Sequence, residues 1–197
     1  MTPPLTLPET CAWAFKEWAG ICSALISGRQ CLIFRKGGIE EGPSGFAPEH
    51  SAFWLLPTRL HEAQQGLRKV IPTPAPPPEG FLNLHALAVV DEVRRLDDPE
   101  AMPRLEAWHV WSEETLRQRF QYQRPGLWLL VVRVHRRAEP YRIEDDPSYA
   151  GCKSWVPLRT PLSTAGLAPV LDDDTFEIER VRLRSALDPS LAPKVAT

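Results

Sequence analysis

Five prolines fall within the seven residues from Pro72 to Pro78, and no other feature limits the fold so much. Proline fixes φ and has no backbone N–H, so this segment is a stiff, extended connector that cannot enter a sheet interior. It divides the chain into 10–71 and 80–187, with 72–79 between them. The reading is a single α+β domain over 10–187, or two packed halves joined by the connector. Residues 188–197 form a flexible tail.

The element pattern predicts a small mixed or barrel-like β-sheet with an N-terminal amphipathic helix and helical inserts. Pro8-Glu9-Thr10 opens the helix. Phe15, Trp18, Ala19, Cys22, Leu25 and Ile26 then recur at three- and four-residue steps, leaving Lys16 and Glu17 in water. Gly28 closes it as a left-handed C-terminal residue. Gln30 to Lys36 reads as a strand stopped by Gly37-Gly38, and Phe53 to Leu56 as a second strand ended by Pro57. Arg59 to Val70 carries Leu60, Ala63, Leu67 and Val70 at helical spacing. After the connector, Leu82 to Val93 is a strand and Asp98 to Trp108 a short helix. Ser112 caps a helix from Glu113 to Phe120, with acids in its first turn. Leu127 to Val134 is the strongest strand, Ser154 to Leu158 a short one, and Asp174-Thr175-Phe176-Glu177 a capping box that opens a last helix.

With 43% hydrophobic and 24% charged residues and a net charge of −2, there is no global cationic field to drive indiscriminate nucleic-acid binding. A local basic patch stays open. No apolar run approaches the roughly 20 residues of a spanning helix, and the first residues lack the pattern of a signal peptide. The expectation is a cytoplasmic protein off the membrane. Cys11, Cys22, Cys31 and Cys152 form no C-x-x-C pair, which fits reduced, buried thiols. No cofactor-binding fingerprint occurs.

Four stretches carry candidate chemistry. Arg35-Lys36-Gly37-Gly38 ends a strand in two cations and two glycines, a suitable edge for a phosphate or carboxylate; the alternative is a hairpin turn with solvated charges. Glu49, His50, His61 and Glu62 flank a strand and would hold a divalent metal if they converge; the alternative is structural. Trp108, His109 and Trp111, followed by Arg117 and Arg119, interleave rings and cations as base-stacking surfaces do, or else anchor the core. Cys152, between Gly151 and Lys153 and close to Trp155, is either a nucleophile of lowered pKa or a buried thiol in a turn.

Phe15-Lys16-Glu17-Trp18-Ala19, Arg35-Lys36-Gly37-Gly38-Ile39, Glu49-His50 through Phe53-Trp54-Leu55-Leu56-Pro57-Thr58, and Tyr149-Ala150-Gly151-Cys152-Lys153-Ser154-Trp155-Val156 together resemble the bacterial domain-of-unknown-function 1802 family. The likeness runs from about Thr10 to Leu158. It implies an association with restriction-endonuclease-type domains, and so a role in DNA restriction or defence. A looser likeness in element order is to PUA-like and ASCH β-barrels, which bind RNA or modified nucleotides.

The expected function is a nucleic-acid or nucleotide binding module contacting its ligand through Arg35, Lys36, Gly37, Gly38, Trp111, Arg119, Lys153 and Trp155. Two alternatives stand beside it. One is a metal-dependent phosphodiester hydrolase using Glu49, His50, His61 and Glu62; the other is a protein-interaction subunit.

Overall fold

The computed structural model describes residues 6–36, 49–59 and 66–188. In chain order the elements are β1 (Thr10–Trp18), α1 (Ala19–Ile26), β2 (Leu32–Arg35), β3 (Ala52–Thr58), β4 (Phe81–Leu96), α2 (Ala101–Arg104), α3 (Glu113–Gln121), β5 (Leu127–Glu144), β6 (Trp155–Ser163), β7 (Ala168–Pro169) and α4 (Asp173–Leu187). The seven strands make one mixed sheet in the order β2-β5-β4-β3-β1-β6, with β7 also paired to β5. Strands from both sides of the proline connector share this sheet.

The first expected element needs correction. Residues 10–18 are a strand, and the helix begins only at Ala19. β1 pairs parallel with β3 (Phe15 beside Leu55) and antiparallel with β6 (Phe15 beside Trp155). A strand covered on both faces loses the strict alternation of a half-exposed one, and its apolar residues then mimic a helical stripe. Glu17, expected in water, is 1% exposed. The helix is not amphipathic either, because Ala19 through Leu25 are all buried. Gly28 does end this region, at φ +73° with its N–H on the Leu25 carbonyl, and a Cβ there would press on Leu171.

Other departures are smaller. β3 runs through Pro57 to Thr58, since the parallel partner does not require that N–H. Of the helix expected over 59–70, residues 60–65 lie outside the described residues. Residues 66–70 are not helical: Leu67 bridges Trp111, and Arg68 N–H donates to the Val110 carbonyl at 2.9 Å. The last helix is capped by Asp172, which accepts from Thr175 N–H, two residues before the expected cap. Ser112 caps α3 as expected, accepting from Thr115 N–H.

The long pair β4–β5 is the spine, matched from Phe81–Glu144 to Leu96–Leu127. On one face, α1 to α4 bury Ile21, Leu25, Leu105, Leu116, Phe120 and Leu183 against Phe34, Phe53 and Leu55. On the other, Trp54, Leu56, Leu87, Tyr149 and Val156 form a smaller core. The sheet is not closed, but it curls. Arg35, on edge strand β2, reaches the Lys16 carbonyl of β1, four places along the sheet, and lies 4.5 Å over the Phe15 ring. No helix among the described residues is long and apolar enough to cross a membrane.

Candidate functional site

The molecule offers two environments, and none of the described residues among the expected contacts lines the second. One is a sealed nest between β1, β2 and α3. Arg119 lies 4.4 Å from the ring centres of both Trp18 and Trp111, which are 4.6 Å from each other, so its guanidinium caps a pair of touching indoles. Burial lowers its pKa to about 10, partly offset by the nearby Glu17 charge and reinforced by Arg35. Glu17 Oε1 accepts the Trp18 N–H at 2.8 Å, whereas the buried Oε2 has no hydrogen-bond partner. Cys22 packs beside this carboxylate, and burial followed by the Glu17 charge holds its thiol far above the ordinary value.

Lys36 is equally committed. Its ammonium donates to the Phe120 carbonyl at 2.8 Å, to the Gly126 carbonyl at 2.9 Å, and to the Arg124 carbonyl. Its donors therefore tie the C-terminal end of α3 to the loop that follows it, where a cation also complements the helix dipole. Gly37 and Gly38 lie outside the described residues. Trp111 is fully buried, and Trp155 is 9% exposed among Phe15, Phe53 and His50. Trp108 donates its indole N–H to Glu179 at 2.8 Å.

Lys153 donates to the Ser148 carbonyl at the surface. Cys152 is an exposed free thiol, which corrects the expectation of a buried one; Cys11, Cys22 and Cys31 are buried. Of the four metal candidates, His61 and Glu62 lie outside the described residues. His50 stacks on Trp13 at 3.9 Å between ring centres. Among the described residues no group of three or more His, Cys, Asp or Glu could hold a metal ion.

The second environment is an open cleft of about 570 Å³. Its walls come from distant segments: Lys16 and α1, the end of β3 through Arg59, the connector from Thr73 to Pro78, the start of β4, and the loop around Tyr149. Arg59 ties the connector down, donating to the Pro74 carbonyl at 2.9 Å. Lys16 donates to the Gly151 carbonyl at 2.8 Å, fixing the opposite rim. The connector is thus a wall of the site.

Phe81, Asn83 and His85 of β4 line this cleft. Alternation turns Leu84 into the opposite core, so its neighbours face the cleft. Phe81 is 40% exposed. The Oδ1 of Asn83 is shielded from water yet has no hydrogen-bond partner, a group that a ligand donor would satisfy. Burial lowers the His85 pKa, so its imidazole is neutral near pH 7, with one nitrogen donating and one accepting. Sequence reading passed over this pair. The signal was present: in Leu82-Asn83-Leu84-His85-Ala86, polar residues two apart interrupt a buried strand, which places them on one face.

Comparison with solved structures finds the ASCH protein of Zymomonas mobilis. Its crystal structure is similar at 17% identity and a TM-score of 0.47, over 75% of this chain and 87% of that one. A point mutant of the same protein matches at 15% identity and a TM-score of 0.48, over 78% and 92%. No curated protein matches. The family described as Domain of unknown function (DUF1802) matches residues 14–182, most of the length, and the chain belongs to that family.

Proposed function

We propose that this protein is a nucleic-acid or nucleotide binding module whose base-recognition site is the cleft under the proline connector. The observation that carries the reading is the unpartnered Asn83 carbonyl oxygen set between Phe81 and neutral His85 in that cleft. A nucleobase combines flat apolar faces with donors and acceptors at its edge. The cleft offers the complement: apolar walls from Ile26, Leu56 and the prolines, an aromatic ring, and a few convergent polar groups. Lys16 and Arg59 stand on its walls as counter-charges for a phosphate.

Fluorescence anisotropy with labelled single-stranded RNA and DNA, competed by the nucleoside monophosphates, tests this directly. Binding should weaken about tenfold in Asn83→Leu, the loss of one desolvated hydrogen bond, and further in Phe81→Ala. Wild-type protein that binds none of these ligands at low salt, or an Asn83→Leu variant with unaltered affinity, would refute the reading.

A further inference from the structure

The face of the sheet that floors the cleft continues along β5. Asn83 lies directly opposite Arg142, and Ala86 directly opposite Arg136. Directly paired residues share a face, and the register shifts between Leu84 and Ala86, so that Ala86 packs with Phe53 on the side away from Leu84, the side that Asn83 presents to the cleft; both arginines lie on that side. Their β4 partners are three residues apart, about 10 Å along the strand. Both side chains are exposed. Neither the Arg136 nor the Arg142 side chain has a hydrogen-bond, ion-pair or ring partner among the described residues, in contrast to Arg133, which pairs with Asp173, and Arg137, which donates to the Ala165 carbonyl at 2.7 Å.

Charge along this face is ordered. Acids gather where β4 begins and β5 ends: Glu79 and Asp145 line the cleft there, and Glu144 is opposite Phe81. Proceeding inward along β5, Arg142 comes first, and Arg136 follows beyond the register shift, with the exposed Glu139 in the stretch between them. A polyanion seated in the cleft is repelled from the acidic end and drawn along the arginines.

We infer that the ligand of the cleft is a single-stranded polynucleotide, one base entering beside Asn83 while the adjoining phosphates run across Arg142 and Arg136. This rests on the cleft reading above and deepens it, since a free mononucleotide would leave the arginine strip unused. Unpaired guanidinium forks bind phosphate oxygens in two-point contacts. Each phosphate neutralised on a single strand contributes about −0.7 to the slope of log affinity against log salt.

The test compares wild type, Arg136→Gln/Arg142→Gln and Asn83→Leu. Each is titrated with a short labelled single-stranded RNA, the same sequence as DNA, and nucleoside monophosphates across a salt series. The double variant should bind the oligonucleotide at least about tenfold more weakly, with a salt slope shallower by about 1.4. Its monophosphate affinity should move less than twofold, whereas Asn83→Leu should weaken both ligands. If the double variant keeps the oligonucleotide affinity and slope while Asn83→Leu weakens binding, the strip is wrong and the cleft stands. If wild type binds neither oligonucleotide nor monophosphate, both fall together. Preference for RNA or DNA identifies the sugar, and either preference supports the strip.

Discussion

Arg119 and Arg142 carry the same guanidinium in opposite surroundings. Arg119 caps two touching indoles near a buried carboxylate, and its charge helps hold α3 against β1. Arg142 stands exposed with no partner among the described residues, next to an amide whose oxygen is likewise unsatisfied. Arg119 would be chosen from sequence, because it follows Trp108 and Trp111; Arg142 would not. A cation near aromatics in sequence therefore says little about binding. What matters is whether its donors already meet the protein's own acceptors.

The comparison is broken most severely at the nest. Arg119→Ala should destabilise the protein by about 3 kcal/mol, since it removes a buried side chain packed on two indoles and weakens the positive field near Glu17. Urea unfolding measures this, and oligonucleotide affinity corrected for the folded fraction should not change. A large affinity loss at unaltered stability would make the nest the site.

Acidification gives the next effect. Burial, with Arg68 nearby, lowers the His109 pKa to about 4, and burial with Arg133 does the same for His135. A histidine whose pKa is depressed by folding contributes its full stability above the unfolded value near 6.5 and loses it as pH falls toward 4. For His109 the loss is on the order of 2 kcal/mol by pH 5. Unfolding measured between pH 7 and 5 should show a flatter profile in His109→Leu.

Lys36→Met should cost about 1–3 kcal/mol by leaving three carbonyls, in the last turn of α3 and the loop after it, without their cation, read as a lower Tm with ligand affinity retained. Asn83→Leu should show the reverse behaviour, with Tm unchanged within the roughly 0.5 kcal/mol typical of substitutions away from packed features and affinity lost. Cys152→Ser should alter neither measurement, because the thiol is exposed and free; a change in binding would return Cys152 to the list of functional groups.

What could be seen from sequence was whatever local chemistry decides. The Ser112 cap, the buried run that starts β5 and the Gly28 exit are each set by neighbouring residues. β1 was misread because its identity depends on partners about 40 and 140 residues away, Leu55 and Trp155. The cleft was hidden for the same reason, its walls coming from four separated segments. The connector was noticed, but as a boundary. Arg59, reaching across to Pro74, helps to make it a wall.

The placement of β1 also sets the order in which the sheet can be completed. It is the earliest strand in the chain, yet one of its neighbours, β6, is the latest of the long ones. On a ribosome, β1 and β3 emerge with one side of β1 still unpaired until residues 155–163 follow. During that interval an apolar strand with open N–H and C=O groups is a template for pairing between chains. A protein shortened before Trp155 should therefore be prone to self-association, and folding should be limited by the arrival of β6, a closure across about 140 residues.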